Sequence, residues 1–118
     1  MKRGILRVID GGRVAFFCPG CGEYHRIRIE GNEHPLWTFN GNYERPTFTP
    51  SILVNGVQAE LDESGEWTGE WIYGADGKPL PQVCHSFVTD GQIQFLGDCT
   101  HSLGGQTVPI PDMKDKRQ

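Results

Sequence analysis

The sequence predicts a small, mainly β protein: one domain of antiparallel strands with a zinc knuckle and few or no helices. No stretch longer than about ten residues has apolar side chains at helical spacing without an interrupting glycine or proline. Short alternating runs bounded by turn dipeptides recur along the chain instead, and 16 of the 118 residues are glycine. Both observations favour strands joined by tight turns.

The N-terminal strands are predicted over residues 5–9, 13–17 and 24–29. The first two flank Asp10-Gly11-Gly12, a sequence typical of a hairpin turn. In the third, Ile27 and Ile29 alternate with arginines, as a strand with one buried face does.

Further strands are predicted at residues 36–39, 51–54, 57–61, 83–89 and 92–96. Asn55-Gly56 is expected to form a two-residue turn between the strands at 51–54 and 57–61. Asp90-Gly91 is the strongest hairpin signal in the chain and joins the last two strands.

The domain is predicted to span residues 1–111, with a loop insertion at 62–81 and a charged tail at 112–118. The insertion contains acidic residues, glycines, two prolines, Trp67, Trp71 and Tyr73. Because small glycine-rich domains bury little apolar surface, they often need a metal ion or disulfides as reinforcement.

Composition excludes some classes of function. The net charge is −4, which is the wrong sign for a protein that coats nucleic acid phosphates. The apolar runs are too short to span a bilayer, and no apolar stretch follows Lys2 and Arg3 as it would in a signal peptide. We therefore expect a cytoplasmic protein without membrane or nucleic acid partners.

Cys18-Pro19-Gly20-Cys21-Gly22 has the sequence of a zinc knuckle. Two thiolates at this spacing bind one ion, and the glycines permit the tight turn around it. In a reducing cytosol, four cysteines that include such a pair indicate metal rather than disulfides, although two disulfides stay open for an exported chain.

The other two cysteines belong to the predicted Asp90-Gly91 hairpin. Counting outward from the turn places Cys84 opposite Gly97 and makes Cys99 its diagonal neighbour on the core face, a span of about 7–8 Å or less that a metal bridges. We therefore predict a closed structural zinc site on Cys18, Cys21, Cys84 and Cys99. His85 or His101 in place of one hairpin cysteine is an alternative, and so are cysteines that act as small buried apolar residues.

The same register places His85 on the opposite face, diagonal to Asp98. A histidine beside a carboxylate is the base and orienting acid of a hydrolytic triad. The simpler alternative is a half-buried histidine with an incidental hydrogen-bond partner.

Ser51 is the candidate nucleophile because it follows Pro50 directly and opens a predicted strand, which fixes its backbone. Thr47 and Thr49 are alternatives, and an ordinary strand start whose hydroxyl bonds its own backbone is another. We therefore predict Ser51, His85 and Asp98 as catalytic residues.

These motifs, in this order, resemble a phage and bacterial family of unassigned function whose phage members are often labelled ammonia monooxygenase. The matching segments are Cys18-Pro19-Gly20-Cys21-Gly22, Pro46-Thr47 with Pro50-Ser51-Ile52, Cys84-His85-Ser86-Phe87 and Asp98-Cys99-Thr100-His101. Shorter relatives occur in bacterial operons with ubiquitin-like, activating-enzyme-like and conjugating-enzyme-like partners. The resemblance implies a serine-dependent deconjugating or processing peptidase, with Ser51 and His85 matching the relatives' Pro-Ser-Ile and His-x-aromatic segments.

The chain departs from those shorter relatives in its knuckle, which has two cysteines rather than three, in Cys99 as a fourth thiol, and in its Trp67–Tyr73 insertion. The predicted function is therefore a serine peptidase that acts on a ubiquitin-like or other peptide tail, with Trp67, Trp71 and His101 as substrate-binding residues. The alternative is a non-catalytic, zinc-stabilised protein-binding module, for example a phage protein that binds a host defence protein.

Overall fold

The computed structural model describes residues 1–113, and these form strands, turns and loops without a helix. The strands are β1 (Lys2–Arg3), β2 (Leu6–Ile9), β3 (Arg13–Cys18), β4 (Glu23–Arg28), β5 (Thr38–Phe39), β6 (Phe48–Val57), β7 (Ala59–Leu61), β8 (Trp67–Trp71), β9 (Pro81–Thr89), β10 (Gln92–Phe95) and β11 (Thr107–Pro109). The predicted fold class is confirmed. No helix able to cross a membrane occurs in this part of the chain.

The strands form three antiparallel sheets. The N-terminal sheet has the order β1-β2-β3-β4, and the larger sheet has the order β11-β10-β9-β6-β5. Strands β7 and β8 form a separate two-stranded sheet. Neighbours in sequence are neighbours in the N-terminal sheet, whereas β6 crosses over to pair with β9 in the larger one.

One apolar core is built from the inner faces of the two larger sheets. The Phe16 ring from β3 stacks on the Phe48 ring from β6, with centroids 6.2 Å apart. Fully burying side chains of this size contributes about 1.5–3 kcal/mol each. The other buried apolar residues include Leu6, Val14, Ile27, Ile52, Val88, Ile93 and Phe95.

The Asp90-Gly91 hairpin forms in the predicted register, with Thr89 opposite Gln92 and Val88 opposite Ile93. Asp90 and Gly91 have φ angles of 53° and 78°, as a two-residue turn with left-handed central residues requires. Along β9, the residues with even numbers from Gln82 to Val88 are buried and the others face outward.

The turn predicted at Asn55-Gly56 is wrong. Both residues lie within β6, where Asn55 pairs with Val83 and Gly56 with Gln82. Gly56 is not among the glycines with positive φ, which a hairpin turn at this dipeptide needs. The long partner strand β9 provides a continuous ladder, so tertiary pairing overrides the local turn preference.

The segment at 62–81 contains more regular structure than a loop. Strand β8 lies within it and pairs with β7, with Ala59 opposite Trp71 and Leu61 opposite Trp67. The predicted tail at 112–118 lies outside the described residues from 114 onward. Within the described part, Asp112 forms an ion pair with Lys2 at 2.7 Å.

Candidate active site and metal centre

A cluster of cysteine and histidine side chains lies where the two larger sheets meet. Its members are Cys18 at the end of β3, Cys21 in the knuckle turn, Cys84 on β9 and His101 in the loop between β10 and β11. One ligand atom from each lies within 4.8 Å of all the others, and the three cysteines are buried. The cluster therefore connects both sheets through one compact group of donors.

The knuckle turn has the geometry that brings two thiols to one ion. The Cys21 amide donates to Cys18 Sγ at 3.4 Å, and the Gly22 amide donates to the Cys18 carbonyl at 2.9 Å. Gly22 has a φ of 70°, which side chains rarely tolerate. A Cβ at Gly20 would overlap the His101 ring, so glycine at this position is what lets the imidazole approach.

The three buried thiols share charge unequally. The hydrogen bond with Cys21 is the main cause that lowers the pKa of Cys18, and the hydrogen bond with Cys84 is the next. For Cys21 and for Cys84, the hydrogen bond with Cys18 is the main cause of a raised pKa. One thiolate is thus favoured while its neighbours are held protonated. A divalent cation at the centre would allow all three to ionise.

His101 fits the fourth position of a metal site. Its Nε2 atom is buried and has no hydrogen-bond partner among the described residues, and desolvation by burial lowers its pKa toward the neutral form that binds metal. Its Nδ1 atom lies 3.2 Å from the Leu103 amide nitrogen. The amide donates to Nδ1, so a metal bond at Nε2 would move the imidazole proton to Nδ1 and break this hydrogen bond. Three sulfurs and one imidazole suit tetrahedral zinc.

Cys99, predicted as the fourth ligand, lies outside this cluster. Its Sγ atom accepts from the His85 amide at 3.3 Å and donates to the His85 carbonyl at 3.2 Å. The hairpin ladder ends at Phe95, and the Cys99 amide then donates to the Leu96 carbonyl in a turn. Because the strand does not continue, the diagonal position expected for Cys99 is not formed. The sequence-based alternative with His101 matches the observed geometry.

On the opposite face of β9, three side chains that were predicted to act together are linked in series by hydrogen bonds. His85 Nε2 lies 3.1 Å from Ser51 Oγ, and His85 Nδ1 lies 3.2 Å from Asp98 Oδ2. Ser51 and His85 are half-buried, and Asp98 is exposed. A hydroxyl, an imidazole and a carboxylate in this order can carry out nucleophilic acyl transfer.

Main-chain contacts fix both ends of the Ser51–His85 pair. On the side that faces β10, the Leu96 amide donates to the His85 carbonyl. The Cys99 thiol accepts from the His85 amide and also donates to the His85 carbonyl. The Trp37 indole donates to the Ser51 carbonyl at 3.2 Å from the other side. Sequence reasoning assigned neither Cys99 nor Trp37 to this support, because only the folded register brings them there.

Neither alternative nucleophile forms a hydrogen bond with His85 among the described residues. The Thr47 hydroxyl accepts from the Asp90 amide at 2.8 Å, at the tip of the β9–β10 hairpin. Thr49 lies on β6 opposite Thr38. The hydrogen bonds of the described residues therefore single out Ser51 as the hydroxyl beside His85.

The family model described as "Bacterial ubiquitination-like system serine protease (BubE)" matches residues 1–96. The chain belongs to the BubE family. The match includes Ser51, His85 and three cysteines of the cluster, and it ends before Asp98 and His101. The resemblance to a component of ubiquitin-like conjugation systems is thereby confirmed at the level of the family.

Among curated proteins, the chain is similar to the late gene expression regulator BDLF4 of Epstein-Barr virus strains B95-8 and AG876. Each is 26% identical over 103 residues, which cover 80% of this chain and 46% of the viral protein. The chain thus spans about half the length of these relatives. No solved structure matches it significantly.

The remaining predicted site residues make no hydrogen bond or ring contact with Ser51, His85 or Asp98 among the described residues. Trp67 and Trp71 are about half exposed and pack on each other with ring centroids 4.7 Å apart. Trp67 lines a cavity of about 390 Å³ with Phe17 and Tyr24, and Ser51, His85 and Asp98 are not among the residues that line it. His101, predicted to bind substrate, lies in the metal cluster. The structure therefore does not bring these three residues to Ser51.

Proposed function

We propose that this chain is a serine peptidase that cleaves a peptide or isopeptide bond at the tail of a ubiquitin-like or similarly tailed protein. The observation that carries the proposal is the hydrogen-bonded series from Ser51 Oγ through the His85 ring to Asp98, at 3.1 and 3.2 Å. The family description, a serine protease of a bacterial ubiquitination-like system, supports the substrate class.

In the proposed reaction, Ser51 Oγ attacks the scissile carbonyl carbon while His85 Nε2 takes the hydroxyl proton. The Asp98 carboxylate accepts from the Nδ1–H of His85, which selects the tautomer with a free Nε2 and stabilises the imidazolium. His85 then gives its proton to the leaving amine, and the C–N bond breaks to leave an acyl group on Ser51. Water, deprotonated by His85, attacks this ester, and the Ser51 hydroxyl re-forms as the carboxylic acid departs.

The position of Ser51 suits a macromolecular substrate. Its partner His85 lies on the outward face of β9, with Leu53 directly opposite on β6 and more than half exposed. A reactive group on an open sheet face is accessible to an extended chain, whereas a small-molecule site is usually a deep concave pocket. A flexible tail of a folded protein is the kind of substrate that reaches such a face.

We assign the metal a structural role, with zinc as the ion and with Cys18, Cys21, Cys84 and His101 as the ligands. Four protein donors leave no open position for water or substrate, and the cysteines are buried away from the outward face that bears Ser51. When bound, the ion would connect β3 to β9 and thereby hold the two sheets together.

Trp67 and Trp71 are proposed to contact the substrate away from the cleaved bond. Their rings are 47% and 43% exposed, which is unusual for side chains that a small domain normally buries. Paired indoles of this kind often mark a protein-binding surface. They would then affect affinity rather than the chemical step.

The proposal is tested by covalent labelling followed by cleavage. A fluorophosphonate probe should modify Ser51, as mass spectrometry of the digested protein would show, and the modification should disappear in His85→Ala. Purified protein should then cleave members of a panel of ubiquitin-like proteins that carry C-terminal extensions. Stable binding of panel members without labelling or cleavage would favour the non-catalytic binding module.

A further inference from the structure

Strand β6 is covered unevenly along its length. It spans Phe48–Val57 and pairs with β9 along one edge. On its other edge, the short strand β5 pairs only with Phe48 and Thr49. Among residues 1–113, no other strand covers β6 beyond Ser51, so the open edge begins beside the proposed nucleophile.

The backbone direction within β6 follows from the contacts of its neighbour. His85 directs its amide and carbonyl toward β10, where they meet Cys99 and Leu96. Leu53, opposite His85, is therefore in a non-hydrogen-bonded pair with it, and its own N–H and C=O point away from β9. The Ser51 carbonyl, within the stretch where the β6–β9 register shifts between Phe48 and Ile52, accepts from the Trp37 indole and so also points away from β9.

Leu53 and, by the same alternation, Asn55 therefore present one donor and one acceptor each to the open edge. Neither backbone has a hydrogen-bond partner there among the described residues. Trp37 occupies the edge at Ser51 and marks where the covered part ends. The side chains of Leu53 and Asn55 are exposed, so no loop of the described chain lies over them. An open edge of this length is a template for pairing with another strand.

We propose that substrate binds as an additional β-strand on the open edge of β6, paired through the backbone of Leu53 and Asn55. This deepens the proposed function and rests on it. Residues two apart on a strand are separated by about 6.5–7 Å, so a peptide paired at Leu53 has its next dipeptide beside Ser51. The substrate class is an extended, unfolded segment whose backbone, rather than its side chains, supplies most of the recognition.

Two probes separate strand pairing from chemistry. The first is a small alkyl fluorophosphonate, which has no peptide to bind and reports on Ser51 and His85 alone. The second is an acetylated Ala-Val-Ala-Val peptide that ends in a diphenyl phosphonate ester, which must bind along the edge before it reacts. The ratio of their second-order labelling rates measures the contribution of peptide pairing.

Leu53→Pro removes the edge N–H without removing a bond to β9, and Leu53→Ala is the matched control that keeps the amide. We expect Leu53→Pro to lower the rate ratio about tenfold, which is the usual size of a lost hydrogen bond plus an unpaired partner. Leu53→Ala should lower it no more than about twofold on the same reasoning. Equal ratios in the wild type and Leu53→Pro would overturn the proposal.

N-methylation of the peptide probe provides a test that does not depend on the folding of a variant. Single N-methyl groups should slow labelling at alternate positions, because only every second amide of a bound strand faces β6. If N-methylation slows the labelling rate without alternating from one position to the next, strand pairing would be overturned. Failure of the small probe to label Ser51 would instead contradict the serine mechanism.

In that case, strand pairing is still measured directly in Ser51→Ala with the unreactive acetylated tetrapeptide amide at millimolar concentration. Amide exchange at Leu53 and Asn55 should slow on addition of the peptide, while Ile52 and Val54, which already pair with β9, should not change. Exchange rates at Leu53 and Asn55 that do not respond would overturn the proposal whatever the reaction is.

Discussion

Cys84 and His85 are neighbours on β9, yet they belong to two different environments. Cys84 faces the core, where its thiol lies 3.9 Å from Cys18 Sγ in the metal cluster. His85 faces outward and contacts Ser51 and Asp98. The alternation of one strand therefore separates a buried cluster of candidate metal ligands from the accessible Ser51–His85–Asp98 group by a single residue.

The two environments differ in what surrounds them. The three clustered thiols are at most 2% exposed, so their ionisation depends on one another, as the opposite pKa directions of Cys18 and Cys84 indicate. The outer group is accessible to water, and its order comes from hydrogen bonds between three side chains and from the clamped His85 backbone. Loss of a group on the inner face should therefore affect folding, and loss of one on the outer face should affect reactivity.

The largest effect is expected for the inner face. Cys18→Ser should lose the metal and unfold or aggregate, because structural zinc contributes apparent binding free energies on the order of 10 kcal/mol to small domains. Metal content by mass spectrometry and thermal unfolding would measure this, with wild type expected to hold about one zinc per chain. A well-folded, metal-free Cys18→Ser protein would remove the structural role of the cluster.

The outer face should respond without loss of structure. Ser51→Ala is expected to keep its zinc and its unfolding temperature while kcat/KM for a tailed substrate falls by about four or more orders of magnitude, since nucleophile and base act as a unit. His85→Ala should behave in the same way and serves as the paired variant. Zinc loss in His85→Ala would place the imidazole on the inner face and contradict the separation, and an unchanged cleavage rate in Ser51→Ala would end the serine mechanism.

Asp98→Asn should have a smaller effect on the same face. The carboxylate orients His85 and is 54% exposed, so water can replace part of its role, and we expect kcat/KM to fall about 10- to 100-fold. The measurement is the same cleavage assay, with labelling by the small probe as a check that Ser51 is intact. A loss as large as in Ser51→Ala would assign Asp98 a stronger role than orientation.

The sequence was sufficient where local signals and tertiary pairing agree. Asp90-Gly91 determined the hairpin register, and this register placed Cys84 inward and His85 outward. The knuckle spacing located two thiols of the metal cluster. Period-two alternation and turn dipeptides are local properties, so they can be interpreted without knowledge of the partner strands.

The structure differs from the sequence-based expectation where pairing with residues distant in sequence determines the local conformation. Asn55-Gly56 has a strong turn sequence, but pairing with β9 keeps it extended. Cys99 was placed by extending the hairpin ladder beyond Phe95, where the chain turns instead and brings His101 to the thiols. Ladder length depends on packing against the rest of the sheet, which the hairpin sequence does not encode.

The smallest expected effect concerns Cys99, which was predicted as a zinc ligand and which contacts the His85 backbone in the structure. Cys99→Ala removes the hydrogen bonds of its thiol to the His85 backbone, which should lower the free energy of unfolding by about 1 kcal/mol. Its metal content should equal that of wild type, whereas His101→Ala, the matched variant two residues later, should lose affinity for zinc because the buried Nε2 is the proposed fourth donor. Zinc titration against a chelator of known affinity would measure both.

Zinc loss in Cys99→Ala with retention in His101→Ala would restore the four-thiolate site. Modestly slower cleavage in Cys99→Ala with full zinc would instead indicate that this thiol belongs to the outer face, where it holds the backbone of His85 in place.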